Sequence, residues 1–392
     1  MTHITREIKT ALLDYAQQFR AVMVVGPRQS GKTTLVKITF PEKPYVSLEN
    51  PDERALANDD PRAFLARFPK GAILDEVQHV PDLLNYLQEI LDHSEQDGLY
   101  ILTGSNNILL QENVSQSLAG RVGVLDLLPL SYREIVQQKS NLTLEELIFN
   151  GSYPEIYDRD RSPTIWYPSY IRTYVERDVR QVKNIENTAL FTKFLRLCAG
   201  RVGQQVNVAA LSNECGIDVR TVQSWLSVLE STYVIKLLSP FHRNFNKRIT
   251  KSPKLYFIDS GLACSLLGIR TTNELLVSHF KGALVENFII MELLKNGLNK
   301  GLQQSLYYWR ENNGVEVDVI LDSGATFTPI EIKSAQTFSK DFLTNLKKFK
   351  SYSDVLKGIL LYDGEMEFTT EDGFEVQNWK TFLMQKAMGQ EH

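Results

Sequence analysis

Gly26, Lys32 and Thr33 carry the first chemistry visible in the 392-residue chain. They fall in Gly26-Pro27-Arg28-Gln29-Ser30-Gly31-Lys32-Thr33-Thr34, which matches G-x-x-x-x-G-K-[ST] at every fixed position. Two glycines at this spacing let the backbone curl until successive N–H groups converge on an anion, and a following helix adds the positive end of its dipole. Lys32 is placed for the β and γ phosphates of a nucleotide and the Thr33 hydroxyl for Mg²⁺. The setting separates a phosphate cradle from a mere Gly-rich turn. The apolar run Ala21 to Val25 precedes the loop as a buried strand, and an amphipathic helical run follows it.

Further residues have the types that complete such a site. A short apolar strand, Gly71 to Val77, ends in adjacent carboxylates, Asp75 and Glu76. In P-loop enzymes the first holds Mg²⁺ and the second polarises the attacking water. The apolar strand Leu99 to Asn106 ends in Thr103, Ser105 and Asn106, and ligands of such sheets gather at that end. Ser105 is best placed for the γ-phosphate or the water, with a helix cap or turn as its alternative role. Arg121, after Ser117-Leu-Ala-Gly and before the strand Val124 to Leu130, is spaced to reach a γ-phosphate in its own or a neighbouring subunit, or else to be an ordinary surface arginine.

At this point the first part of the chain resembles an AAA+-type ATPase, on Gly26–Thr33, Ile73–Glu76, Leu102–Ser105 and Gly120-Arg121. With Leu128-Pro-Leu-Ser-Tyr-Arg-Glu134 and Gly151-Ser-Tyr-Pro-Glu155 it is similar to prokaryotic ATP-binding proteins that pair this ATPase with a C-terminal domain of unknown function. The resemblance runs through nearly the whole chain. It implies ATP and Mg²⁺ as cofactors and Arg121 as an arginine finger, and it leaves the oligomeric state open. A lid arginine is implied as well, with Arg172, Arg177 and Arg180 as the candidates.

A second constellation lies near the C-terminus. Helical spacing from Gly282 to Leu294 carries Glu286, followed by strands at Ser305–Arg310, Val315–Leu321 and Thr328–Lys333. A helix from Asp341 to Phe349 and a last strand, Val355–Tyr362, complete the order helix, three strands, helix, strand. A period of two puts Glu316 and Asp318 on one face, and Glu331 and Lys333 on one face of the next strand. Asp318, a hairpin and then Glu331-Ile-Lys333, behind a helix bearing Glu286, resemble the PD-(D/E)XK nuclease superfamily. The leading proline of that name is replaced by Val317. The resemblance implies Asp318, Glu331 and Glu286 around Mg²⁺ and Lys333 orienting the attacking water. Inactive relatives share the fold, so cleavage stays open, and Glu316 is expected to be exposed.

Between these parts, Val208 to Leu229 has the layout of a helix-turn-helix, with Gly216 at the turn and Asp218 as cap. Val222, Trp225, Leu226 and Leu229 form its buried stripe. Tyr233–Leu238 and Lys254–Ile258 would be the strands of a wing with its tip at His242–Lys251. One reading puts Arg220, Gln223 and Ser224 on DNA bases and Arg243, Lys247, Arg248 and Lys251 on phosphates. The other makes the module an interdomain joint.

The expected fold class is therefore α/β. An AAA+-type parallel-sheet domain over 1–140 is followed by a helical and winged-helix domain over 141–270 and a restriction-endonuclease-like α/β domain over 271–392. The formal charge of −4 excludes binding to nucleic acid through overall charge, so any DNA contact needs a local basic face. Cys198, Cys215 and Cys264 form no C-x-x-C pair and fit reduced core thiols of a cytoplasmic protein. No apolar run has membrane-spanning length, and the start lacks a signal-peptide core. The function expected is Mg²⁺-dependent ATP hydrolysis coupled to DNA binding and phosphodiester cleavage, with a possible homo-oligomer through the ATPase domain. The rival is a nucleotide-controlled switch whose nuclease-like domain only recognises a partner, and a third reading is a DNA-binding ATPase with an inactive nuclease fold.

Overall fold

The computed structural model describes residues 4–105, 118–175, 187–241, 252–302, 305–311, 314–324, 326–353 and 357–385. Asn106, Arg177, Arg180 and the expected wing tip, with Arg243, Lys247, Arg248 and Lys251, lie outside the described residues.

The first sheet is built from short apolar strands, the three inner ones buried on both faces as parallel strands flanked by helices require. These are β1 (Ala21–Gly26), β2 (Tyr45–Ser47), β3 (Ile73–Asp75), β4 (Tyr100–Ser105) and β5 (Val122–Asp126). They run parallel in the order β2-β3-β4-β1-β5, so β1 lies between β4 and β5 and all carboxyl ends share one edge. Helix Leu83–His93 covers one face with Leu83, Leu84, Leu87 and Leu91 buried. Pro61 breaks the charged stretch into helices Pro51–Asp59 and Pro61–Ala66, because a proline fits the first turn of a helix and not its interior. Asn50 and Asp60 cap the two starts.

In the middle of the chain, helices Leu144–Asn150, Pro154–Asp158 and Pro163–Tyr170 lead into a π-type turn at Ile171–Val175, just after Pro168. Helix Val208–Cys215 ends on left-handed Gly216, and helix Val219–Ser231 starts from Asp218, whose Oδ1 accepts the Thr221 N–H at 3.0 Å. Val222, Trp225, Leu226 and Leu229 are buried, with Trp225 edge-on to Phe191 and Phe194. Arg220 and Gln223 are exposed and Ser224 is half-buried. Strands β6 (Ile235–Leu238) and β7 (Lys254–Phe257) pair antiparallel.

The last part opens with helix Lys281–Leu298. Strands β8 (Ser305–Arg310), β9 (Glu316–Asp322) and β10 (Phe327–Lys333) form an antiparallel meander, and helix Thr344–Tyr352 leads to β11 (Gly358–Tyr362), parallel to β10. Two further strands, β12 (Phe368–Thr369) and β13 (Phe374–Asn378), extend the sheet to β12-β13-β11-β10-β9-β8. Pro329 precedes the stretch of β10 paired with β11, so its missing N–H removes no bond on that side. The chain after β6 attaches to the far edge of this sheet, where the Phe241 N–H reaches the Tyr308 carbonyl and the Tyr308 N–H reaches the Ser239 carbonyl at 3.1 Å. One hydrophobic core accordingly runs from Tyr132 through Trp225 and Phe257 to Phe288 and Trp379. The three cysteines are buried free thiols. Among the described residues no helix is long and apolar enough to cross a membrane.

Candidate functional site

The loop after β1 is held by close approach. The chain leaving β5 crosses it, with the Leu127 N–H on the Val25 carbonyl at 2.7 Å. A Cβ on Gly26 (φ +154°) would stand 2.2 Å from the Leu127 carbonyl oxygen, so this position admits only glycine. Gln29 and Gly31 both take left-handed backbone, with φ 61° and 95°, and this turns the loop between Pro27, Arg28 and the wholly buried Ser30. Lys32 opens helix Lys32–Thr39, and its Nζ donates to the carbonyls of Gly26 at 3.1 Å and Pro27 at 2.9 Å. The ammonium thus lies across the mouth of the loop.

Asp75, at the end of β3, meets the loop. Thr33 Oγ1 lies 2.9 and 3.0 Å from its two oxygens, Tyr45 donates to Oδ2 at 2.8 Å, and the Thr103 hydroxyl reaches Oδ1. Burial and the Asp75 charge push the Tyr45 phenol well up, so it stays a neutral donor. Every one of these partners is an uncharged hydroxyl. A threonine hydroxyl beside a carboxylate at the carboxyl edge is the hard oxygen donor set that Mg²⁺ takes, and Thr33 with Asp75 fits that ion. Glu76 has φ 60°, a left-handed backbone unusual for a residue with a side chain, with its N–H on Thr103 Oγ1 at 3.2 Å. Gln78 donates to both Glu76 and Ser105, the latter at 3.0 Å, and Ser105 pairs in register with Gly26. Thr103, on β4, is fully buried beneath Asp75 and supports that carboxylate; it has no access to a phosphate.

Two of the cavities at the loop reach Gly31 and Thr34. One, of about 410 Å³, is lined by Gln29, Lys32, Thr33, Thr34, Glu76 and Arg159. The other, of about 200 Å³, is walled by Ile4, Leu35, Ile38, Leu130 and Pro154. Pro154 belongs to Gly151–Glu155, which brings the segment after the sheet over the loop. Its start is fixed by Gly151 (φ +67°), where a Cβ would fall 1.9 Å from the Tyr167 hydroxyl. Arg159 therefore faces the phosphate cavity, whereas Arg172 is exposed and lines neither cavity. The sequence pointed to Arg172, Arg177 and Arg180 only through the family resemblance, and Arg159 belongs to no motif that would have singled it out.

Arg121 stands elsewhere. Its carbonyl accepts from Ala21, the first residue of β1, at the edge opposite the phosphate loop. Six residues of β1 separate the two edges, about 17 Å at ~3.3 Å per residue. Its guanidinium is a two-pronged partner of Asp92, holding that carboxyl below its usual range. Reach to the phosphate loop of its own chain is thereby excluded.

Comparison with known proteins gives matches along three stretches of the chain. Residues 18–136 match the model of an AAA domain, residues 141–273 a domain of unknown function (DUF8612), and residues 281–382 another domain of unknown function (DUF4143). An uncharacterised protein of Mycobacterium tuberculosis is 28% identical over 356 residues, covering 90% of this chain and 78% of the relative. An uncharacterised protein of Methanocaldococcus jannaschii is 22% identical over 408 residues, covering 95% and 86%. Among solved structures, a Walker-type ATPase of Pyrococcus abyssi matches with TM-score 0.45 and 13% identity over 66% of this chain and 94% of that one. AMPPCP-bound DnaA from Aquifex aeolicus matches with TM-score 0.27 and 15% identity over 57% and 85%. The N-terminal part is an ATPase-like P-loop domain of AAA type, followed by further α/β structure.

The C-terminal constellation is brought together differently. Glu331 is 1% exposed; its Oε1 accepts from Lys333 at 2.7 Å and Asn345 at 3.1 Å, while its buried Oε2 has no hydrogen-bond partner. Asp318 Oδ2 accepts the Ile332 N–H at 2.8 Å. Enclosure in the fold, then the charges of Glu331 and Glu286, push the Asp318 carboxyl well up, and burial first also raises Glu331. Glu286 is engaged by the middle of the chain. Its Oε1 accepts from Lys254 at 2.9 Å and from Tyr256, both on β7. Lys254 is 2% exposed and also pairs with Glu316, which the sequence had suggested was exposed and which is half-buried. Burial opposes the Lys254 charge, but Glu286, Asp318 and Glu316 outweigh it and hold the ammonium protonated. Among the described residues the carboxylates of Glu286, Asp318 and Glu331 do not close into one metal-sized cluster. The three-carboxylate Mg²⁺ centre implied by the nuclease resemblance therefore does not fit this arrangement, in which an ammonium from the middle of the chain takes the Glu286 corner.

Proposed function

We propose that the chain is an ATP-binding, ATP-hydrolysing switch that governs what its C-terminal domain grips. The observation that carries this reading is Asp75 beside Thr33 at the mouth of the Gly26–Thr33 loop, supported only by uncharged hydroxyls. ATP would place its phosphates in the loop against Lys32 and its base between Ile4, Leu130 and Pro154. Thr33 and Asp75 would hold Mg²⁺, which when bound neutralises phosphate charge. Glu76, steadied by Gln78, would orient the attacking water, with Ser105 beside it and Arg159 facing the phosphates. In a homo-oligomer Arg121, on the opposite edge, could serve only the site of a neighbour.

The buried contacts between domains support control of the C-terminal part. Glu292, on the helix that carries Glu286, accepts the Tyr132 N–H at 2.7 Å, and Lys295 of that helix reaches the Leu130 carbonyl at 2.8 Å. Leu130 also walls the cavity assigned to the base. The C-terminal meander with its parallel fourth strand is compatible with a nuclease-like fold, and Arg220 and Gln223 on an exposed helix face suit DNA as the gripped partner. Because Lys254 takes the place of a cation at Glu286, the reading favours recognition over cleavage. Cleavage remains the second reading, and the partnerless Glu331 Oε2 favours it.

The test measures ATP hydrolysis and cleavage of plasmid and linear DNA in Mg²⁺ or Mn²⁺, with Lys32→Ala and Lys333→Ala as controls. Mg²⁺-dependent hydrolysis lost in Lys32→Ala, and DNA retention altered by ATP without strand breaks, is the expected result. An absence of ATP binding would overturn the switch. Strand breaks lost in Lys333→Ala would replace recognition with cleavage.

A further inference from the structure

Arg6 lies outside every motif of the chain, yet all three arms of its guanidinium are used inside the protein. Nη1 donates to the Ser30 carbonyl at 2.6 Å, Nη2 to the Leu128 carbonyl at 2.7 Å, and Nε to Glu134 Oε1 at 3.1 Å. Arg6 is 9% exposed and Glu134 is not exposed at all. Glu134 spends its remaining lone pairs on backbone: Oε1 accepts the Glu7 N–H at 2.7 Å and Oε2 the Ser131 N–H at 2.9 Å. The second of these belongs to a capping box that starts helix Tyr132–Val136.

The consequence lies in the peptide between Ser30 and Gly31. In a planar trans peptide the carbonyl and the following N–H point in opposite directions. Arg6 draws the Ser30 carbonyl outward, so the Gly31 N–H is turned to the opposite, concave side of the loop, where Lys32 and Thr33 line the phosphate cavity. Gly31 has φ +95°, a backbone that glycine holds with no side chain to enforce it, so an external clamp is what selects this peptide orientation. We propose that the buried Arg6–Glu134 pair is the positioning device of the phosphate loop, setting the Gly31 N–H for a nucleoside di- or triphosphate. This rests on the nucleotide reading of the loop. A lysine at position 6 lacks the planar three-armed donor and cannot serve the two carbonyls and Glu134 together. A glutamine at position 134 turns an NH₂ toward either Ser131 N–H or the Arg6 and Glu7 donors, and so breaks one side of the clamp.

The experiment titrates the full chain with ADP in Mg²⁺ and with adenosine, which occupies only the base cavity, and records a thermal melt for each variant. Glu134→Gln is the decisive change, because Glu134 lines neither cavity and meets the Ser30 carbonyl only by way of Arg6. The expected result is an ADP affinity weakened about ten- to a hundredfold, the scale of one charge-assisted contact, with adenosine affinity unchanged. Arg6→Lys should weaken ADP similarly, and the double variant should add little to either single change. A folded Glu134→Gln protein that keeps wild-type ADP affinity overturns the proposal, as does an equal loss for ADP and adenosine, which would mean general collapse of the site. If Glu134→Gln does not fold, Arg6→Lys decides; because Arg6 also lines the base cavity, the reading is the ratio of the two losses, a loss for ADP at least about tenfold greater than for adenosine supporting the proposal and an equal loss overturning it. Wild-type protein that binds no ADP would instead overturn the nucleotide reading itself.

Discussion

Both ends of this molecule bury carboxylates beside polar partners, but they answer the charge in opposite ways. Asp75 is surrounded by the hydroxyls of Thr33, Tyr45 and Thr103, which stabilise its oxygens without neutralising them. Glu286, Glu316 and Glu331 are met by the ammoniums of Lys254 and Lys333. A carboxylate held by dipoles keeps its charge for an incoming cation, whereas one held by an ammonium has already received its cation. On the proposed reading the P-loop end is left open to Mg²⁺ with nucleotide, whereas the C-terminal carboxylates already share two ammoniums.

The comparison can be broken most directly at the loop. Lys32→Ala should abolish nucleotide-dependent turnover, by at least ~100-fold in kcat, as expected when one preorganised charge is removed. A steady-state hydrolysis assay reads this, and residual activity within a few-fold of wild type would remove the loop from the mechanism. Lys254→Met is the corresponding change at the other end. It takes the shared ammonium from Glu286 and Glu316 and leaves them the Tyr256 hydroxyl and the exposed Arg310, at a cost of up to about 3–5 kcal/mol as for other broken buried pairs. The Tm should fall in metal-free buffer and recover with Mn²⁺ more than the wild-type value does. Equal Mn²⁺ responses in both proteins would mean that Lys254 does not stand in for a cation.

A smaller effect sharpens the electrostatic contrast. Asp318 and Glu331 titrate above their ordinary carboxyl values of 3.8 and 4.5 in the folded chain. The folded state therefore holds protons that the unfolded state has released, so this pair's stabilisation is complete at low pH and is lost as pH rises through the raised folded values. Asp318→Asn should flatten that decline in denaturant titrations between about pH 4 and pH 8. An unchanged slope would place the proton elsewhere. The smallest effect is expected at Arg121→Ala, whose partner Asp92 is exposed. Its melting temperature should match wild type, and only a hydrolysis rate that depends on protein concentration would reveal service to a neighbour's site.

Much of the fold was legible because each element's signal is local. The apolar runs of β1, β3 and β4, the proline break at Pro61, the Asp218 cap and the stripe through Trp225 all follow from spacing that the backbone itself imposes. The same holds for the helix, three strands, helix and strand after Lys281. What was not legible depended on side chains meeting across distant stretches. Lys254 reached Glu286 and Glu316 because β7 packs against the C-terminal sheet, and Arg159 lines the cavity at the loop because the segment after Gly151 folds over it. Arg121 was spaced correctly in the sequence yet lies a strand's length from the loop.

By itself, then, the sequence determined which chemistries the chain owns: a phosphate cradle with its Asp-Glu strand end, and an Asp…Glu-x-Lys strand pair. Period and spacing are properties of the covalent chain, so a motif and the face it occupies survive without knowledge of the rest. Only the tertiary structure decided which charge answers which. Coulombic pairing and burial act through space, and they gave hydroxyl partners to Asp75, an ammonium to Glu286 and a guanidinium, from Arg6, to the back of the phosphate loop.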